Sequence, residues 1–206
     1  MILNRWLSLR GNRHISASLK EVGCDYRVET IEYGPAMKSA EYLAINPMGK
    51  IPAIAHNGKV VTECAAICAY LADAFPEAKL APALDNRADY YRWLFFAAGP
   101  LEMAVSLKAC GFEPPEDKQR MLGYGHFQLT VDTLASAVRG KQYIAADQFT
   151  AADVYIGSQI GWGMQFGTLE PREEFVHYYN GLKDRPANHV AMQAMQNAMA
   201  AAEKAT

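Results

Sequence analysis

No apolar run in this 206-residue chain reaches the length of a membrane-spanning helix, and no signal-peptide core is visible. The formal net charge is −2, without a long basic run, which argues against nucleic acid as the main partner. Cysteine is sparse: Cys24, Cys64, Cys68 and Cys110 are scattered through a chain long enough to need no staples, so reduced thiols in a cytoplasmic setting are expected. Cys64 and Cys68 lie one helical turn apart but do not form Cys-x-x-Cys, which argues against a dithiol oxidoreductase. The histidines, His14, His56, His126, His177 and His189, show neither metal-ligand spacing nor a nucleophile partner. Phosphate-loop, dinucleotide and zinc patterns are missing, so no metal is expected.

Half of the residues are apolar and a fifth are charged, an ordinary globular balance with room for one or two domains. The most informative stretch runs from Asn46 to Pro76. Asn57-Gly58 separates two apolar runs, Ile51 to Ala55 and Lys59 to Thr62, and is a strong hairpin signal because both turn residues must accept positive φ; His56 sits in this hairpin turn and is expected to be exposed. A helix follows, capped by Thr62 or Glu63 and ended by Pro76. Pro52 cannot donate to a ladder, so it belongs at a strand start or edge, where an X-Pro bond can be cis. Ile51 then presents backbone with which an extended peptide can pair, and the helix N-terminus at Glu63-Cys64-Ala65 suits a carboxylate.

Around this stretch the chain reads as two halves. Leu3 to Leu7 alternates like a strand, Asn12 to Gly23 reads as a helix closed by glycine, and Tyr26 to Ile31 as a second strand. The basic, serine-containing start superficially suits a transit peptide, but the fold needs it as its first strand and helix. Pro35 to Ile45 holds a short irregular helix. Pro76 to Asn86 holds two prolines and no helical periodicity, and residues 77–86 form the linker. Residues 87–206 then show long helical windows: Arg87 to Cys110, kinked at Gly99-Pro100, then Pro115 to Arg139, Thr150 to Phe166, Pro171 to Lys183, and Pro186 onward. Thr150 and Asp153 form a capping box, flanked by Phe149 and Val154, whose role is structural.

Asn46-Pro-x-Gly-Lys-Ile-Pro52, a hairpin, and then Glu63-Cys64-Ala-Ala-Ile resembles the glutathione-binding half of the glutathione transferase family, whose usual pair is Glu-Ser. The Thr150-x-x-Asp153 box is familiar from that family's helical domain. The resemblance implies a thioredoxin-like α/β N-terminal domain, residues 1–76, followed by an all-α C-terminal domain, residues 87–206. It also implies that Ile51 pairs with the cysteinyl backbone of glutathione, that Pro52 is the cis proline, and that Glu63 and Cys64 hold the γ-glutamyl group, with Lys50 near the glycyl carboxylate. Lys50 also reads as an ordinary solvated lysine. Cys64 replaces a good hydroxyl donor with a weak thiol; it is either a passive serine substitute or, at a helix N-terminus, a reactive thiol.

Activation of the glutathione thiol is less visible. Lowering a thiol pKa near 8.5 by about two units takes roughly 2.7 kcal/mol of thiolate stabilisation, much of which one well-aimed donor can supply. The family places a Tyr, Ser or Cys between the first strand and first helix, but here Trp6 falls near the tyrosine position and Leu9 near the serine position. Asn12 resembles the asparagine used by some bacterial and fungal members and equally reads as a plain N-cap; the two roles are compatible. Ser8 serves only if the loop is wound differently, and Arg10 only as a charge.

Aromatic segments Tyr90 to Glu102 and Gly161 to Phe166 either line a cleft for an electrophile or fill a core. The expected protein is a cytoplasmic, homodimeric glutathione transferase-like enzyme of the detoxification type. It would use glutathione as cosubstrate, promoting attack of its thiolate on an electrophile or a peroxide. The alternative is a non-catalytic binding or regulatory protein of the same fold.

Overall fold

A computed structural model of the chain describes residues 3–7 and 13–203. The chain divides into two compact units, Met1–Leu80 with Arg185–Thr206, and Ala81–Asp184.

The first unit is built on strands β1 (Leu3–Leu7), β2 (Tyr26–Thr30), β3 (Ala53–His56) and β4 (Lys59–Thr62), in the order β2-β1-β3-β4. β1 and β2 are parallel, joined through helix α1 (Arg13–Val22); β3 and β4 run antiparallel to their neighbours. A short 3₁₀ turn (Pro35–Lys38) and helix α2 (Ala40–Ile45) precede β3. The β3–β4 turn uses Asn57 at φ 52° and Gly58 at φ 75°, the pair of positive values that Asn-Gly tolerates best. Helix α3 (Cys64–Ala74) follows β4 directly.

The core of this unit joins α1, α3 and the sheet through Ile15, Leu19, Ile54, Ile67 and Leu71, all fully buried. Ser18 Oγ and Cys68 Sγ, also buried, meet at 3.4 Å between α1 and α3. Burial pushes the Cys68 thiol up to about 11, an effect only partly opposed by Ser18.

His56 is not the exposed turn residue that its position suggested. It is 5% exposed, its Nδ1 lies 2.9 Å from the Tyr70 hydroxyl, and its ring stacks on Phe75. The alternation of β3 places it on the face that α3 covers, and Tyr70 supplies a polar partner there.

The second unit is helical: α4 (Ala88–Phe96), α5 (Glu102–Ala109), α6 (Glu116–Gln119), α7 (Phe127–Val138), α8 (Ala151–Phe166) and α9 (Glu173–Lys183). Between α4 and α5 the expected distortion at Gly99-Pro100 is a π-helical turn, Ala97–Leu101, which absorbs the proline without ending the run. The expected single helix from Pro115 to Arg139 is interrupted instead. Residues 120–126 leave helical geometry between α6 and α7, with Gly125 at φ 68°.

α8 is buried along most of its length. At its start, Thr150 N donates to Asp153 Oδ2 at 2.8 Å, as the capping box requires. Asp153 also accepts from the Thr150 hydroxyl (3.0 Å), from Ile144 N (2.8 Å) and from the Tyr178 hydroxyl (2.7 Å). Burial pushes the carboxyl above its usual range, and these bonds from Tyr178, Ile144 and Thr150 oppose the shift. The box therefore ties three segments together.

The last helix, α10 (Pro186–Glu203), packs on α1 in the first unit, whereas the sequence pattern had continued the helical region through residue 206. A two-pronged ion pair fixes this arrangement: Arg185 Nε and Nη2 donate to the Glu21 carboxylate oxygens at 2.7 and 2.8 Å.

Candidate functional site

Strand register brings three separated stretches to one end of the sheet. Ala53 opens β3 and is paired with Trp6 near the end of β1 on one side and with Thr62 at the end of β4 on the other. The backbone of Pro52 therefore enters where Glu63 leaves. Thr62 ends its strand one residue before Glu63 and two before the first residue of α3. Ser8 and Asn12 lie outside the described residues.

The Ile51–Pro52 peptide bond is cis, Pro52 is buried, and Ile51 is half-buried. Among the described residues, no backbone hydrogen bond engages Ile51. Lys50 is exposed. Its side chain is thus available to solvent, while its carbonyl is held from beneath. The Tyr42 hydroxyl donates to Lys50 O at 2.7 Å and Asn46 Nδ2 donates to the same oxygen at 2.8 Å.

The turn leading into this loop is equally constrained. Asn46 Oδ1 accepts from Met48 N at 3.1 Å, and Asn46 O accepts from Gly49 N at 2.7 Å. Lys38 Nζ donates to Met48 O at 2.8 Å. Gly49 has φ 56°, and a Cβ there would lie 2.6 Å from Met37 O, so conformation and space both require glycine.

Glu63 also has a positive φ, 67°, a conformation costing a non-glycine residue on the order of 1 kcal/mol. It occupies the N-cap position of α3, but its side chain makes no capping bond; the carbonyl accepts from Ile67 N at 2.9 Å. The carboxylate is exposed and Cys64 is half-buried. A negative side chain and the positive end of a helix dipole therefore stand side by side, able to address an ammonium and a carboxylate of one ligand.

A family model described as "Glutathione S-transferase, N-terminal domain" matches residues 13–74, a span that includes the loop, hairpin and α3 start just described. This match supports the glutathione S-transferase family for the chain. The chain is 25% identical over 186 residues to glutathione S-transferase GstA of Escherichia coli O157:H7, covering 86% of this chain and 90% of that protein. Protein LigF of a Sphingobium species is 40% identical over 62 residues, covering 30% of this chain and 24% of LigF. Among solved structures, the glutathione transferase URE2P5 from Phanerochaete chrysosporium matches with a TM-score of 0.80 at 21% identity, covering 98% of this chain and 97% of that one. A sphingomonad glutathione S-transferase complexed with glutathione matches with a TM-score of 0.75 at 24% identity, covering 94% and 98%. These structural likenesses carry the fold: a thioredoxin-like α/β N-terminal part and a helical C-terminal part.

Within this family frame, the register unites Pro52 with the Glu63-Cys64 step. Tyr42 and Asn46 support the Lys50 carbonyl without belonging to the site motif. Their signal was local, because both lie within eight residues of Lys50 and can bond its backbone. No membrane-crossing helix is long and apolar enough among the described residues, and these hold no cluster of metal-ligating side chains.

Proposed function

We propose that the chain is a glutathione transferase, binding glutathione and promoting attack of its thiolate on an electrophilic or peroxide substrate. The observation that carries this reading is the convergence of Pro52 and Glu63 at one sheet end. It sets a peptide edge at Ile51 beside the α3 N-terminus. Glutathione is a short peptide with an ammonium and two carboxylates, and this site addresses each feature. Ile51 pairs with the cysteinyl backbone beside Pro52, Glu63 takes the γ-glutamyl ammonium, the Cys64 end of α3 takes the carboxylate, and Lys50 lies towards the glycyl end. Asn12, or Ser8, donates a hydrogen bond to the thiolate. Catalysis is then electrostatic, without a covalent enzyme intermediate. The working form is a cytoplasmic homodimer; the exposed Tyr91, Phe95 and Met103 of the helical unit support an apolar contact.

Retention on immobilised glutathione, followed by turnover with a panel of electrophiles and hydroperoxides, tests the reading. Retention and turnover are expected. Failure to bind overturns it, and binding without turnover favours a non-catalytic member of the family. Loss of turnover in Asn12→Ala or Ser8→Ala identifies the activating donor; full activity in both variants removes both assignments.

A further inference from the structure

The Lys50 carbonyl is the most heavily held backbone atom of the loop. Two side chains from different places converge on it: Tyr42, inside α2, and Asn46, at the C-cap of that helix. Both are buried, and Asn46 is fixed in turn through Met48 N, which makes its amide orientation unambiguous: Oδ1 accepts there, so Nδ2 faces Lys50. Two donors on one oxygen hold that peptide group against rotation.

The consequence falls on the next residue. The Lys50–Ile51 peptide is trans, so its C=O and N–H point in opposite directions from one rigid plane. Drawing Lys50 O towards Tyr42 and Asn46 turns the Ile51 N–H away from them. That N–H has no backbone partner among the described residues. From this geometry we infer that Tyr42 and Asn46 are positioning residues for ligand binding: they aim the Ile51 amide so that it can pair with an extended peptide ligand. The inference rests on the glutathione reading for the ligand's identity, but not for the orientation of the amide itself.

The same arrangement separates this role from a titrating one. Burial pushes the Tyr42 hydroxyl up to about 12, so it remains a neutral donor throughout the range in which a transferase would be assayed. Its contribution is therefore independent of pH between about 6 and 9.

Tyr42→Phe keeps the buried ring and removes one donor. Asn46→Asp keeps the acceptor for Met48 N and replaces the Lys50-facing donor with an oxygen. Calorimetric titration with glutathione should show about three- to tenfold weaker binding for Tyr42→Phe, the worth of one neutral hydrogen bond. It should show a larger loss, on the order of tenfold or more, for Asn46→Asp, where two oxygens oppose each other. In turnover, KM for glutathione should rise in Tyr42→Phe while kcat at saturation and KM for the electrophile stay unchanged, at pH 6 and pH 9 alike. In ligand-free protein, the Ile51 amide should change its ¹⁵N–¹H shift in both variants as its peptide plane loses a fixed orientation, while amides within β3 and β4 keep their protection.

Unchanged glutathione affinity and an unchanged Ile51 amide in two folded variants overturn the inference. So does a fall in kcat without a change in KM. Wild-type protein that fails to bind glutathione removes the functional reading instead, and the Ile51 amide in ligand-free protein then decides the positioning claim by itself.

Discussion

Asp153 and Lys50 O show the same device in two settings. In the helical unit, one carboxylate accepts four hydrogen bonds, from Ile144, from Thr150 twice and from Tyr178, and every group involved is buried. In the sheet-bearing unit, one carbonyl accepts two, from Tyr42 and Asn46, but the adjacent Ile51 backbone is left open. A polar centre whose donors and acceptors are all consumed holds structure. A centre that fixes one side of a peptide and leaves the other side open is suited to a ligand.

The largest expected effect breaks the closed member of this pair. Asp153→Ala strands the Ile144 and Thr150 amides and the Tyr178 hydroxyl without their acceptor, and should lower stability by about 3 kcal/mol or more. Chemical denaturation measures it, and a loss below about 1 kcal/mol would show that water replaces the carboxylate cheaply.

Next comes the open member. Glu63→Gln keeps the shape but removes the charge offered to an ammonium, and glutathione affinity should fall roughly 10- to 100-fold, the range for a hydrogen bond to a charged group. The unfolding midpoint should barely move, since the Glu63 carboxylate makes no capping bond. Equal losses of binding and stability would mean that Glu63 is structural, as Asp153 is.

A smaller effect is expected at the Arg185–Glu21 pair, which is partly exposed yet two-pronged. Arg185→Ala should cost about 1 kcal/mol, visible as faster amide exchange in α10. Unaltered exchange there would show that apolar packing of α10 on α1 suffices.

The last effect, absent at neutral pH, concerns the thiols. With its pKa near 11, Cys68 should resist alkylation at pH 7, while the exposed Cys110 reacts. Because burial raises the Cys68 pKa, the folded state favours the neutral thiol. That stabilisation is complete below the ordinary thiol value of 9.0 and is lost as pH rises towards about 11. Cys68→Ala should flatten this alkaline decline; a steep decline in that variant would assign it to other groups.

Much of the fold was legible because its signals are local. Asn57-Gly58 specified the hairpin through positive φ alone, Gly99-Pro100 marked the π-helical turn, and Thr150-x-x-Asp153 marked the start of α8. The site was legible in part. Pro52 and Glu63 stand out in sequence, and strand register explains why they meet. His56 is buried, against its turn-like position in the sequence, because its partners lie later in the chain: Tyr70 within α3 and Phe75 at that helix's C-cap. The break between α6 and α7 falls where Gly123 and Gly125 interrupt the chain, a local signal outweighed by the long helical window around it.

The sequence by itself determined the backbone punctuation of this protein, since turns, caps and proline positions depend on a residue and its near neighbours. It also determined the pairing of loop, hairpin and α3 start that marks the family. Tertiary structure alone decided that α10 joins α1, because the Glu21–Arg185 pair spans 164 residues of chain. Packing likewise decided that Asp153 binds Tyr178 and that His56 is buried. In each case the energy lies in removing polar and apolar groups from water against a distant partner, and a local stretch of sequence carries no record of which partner that is.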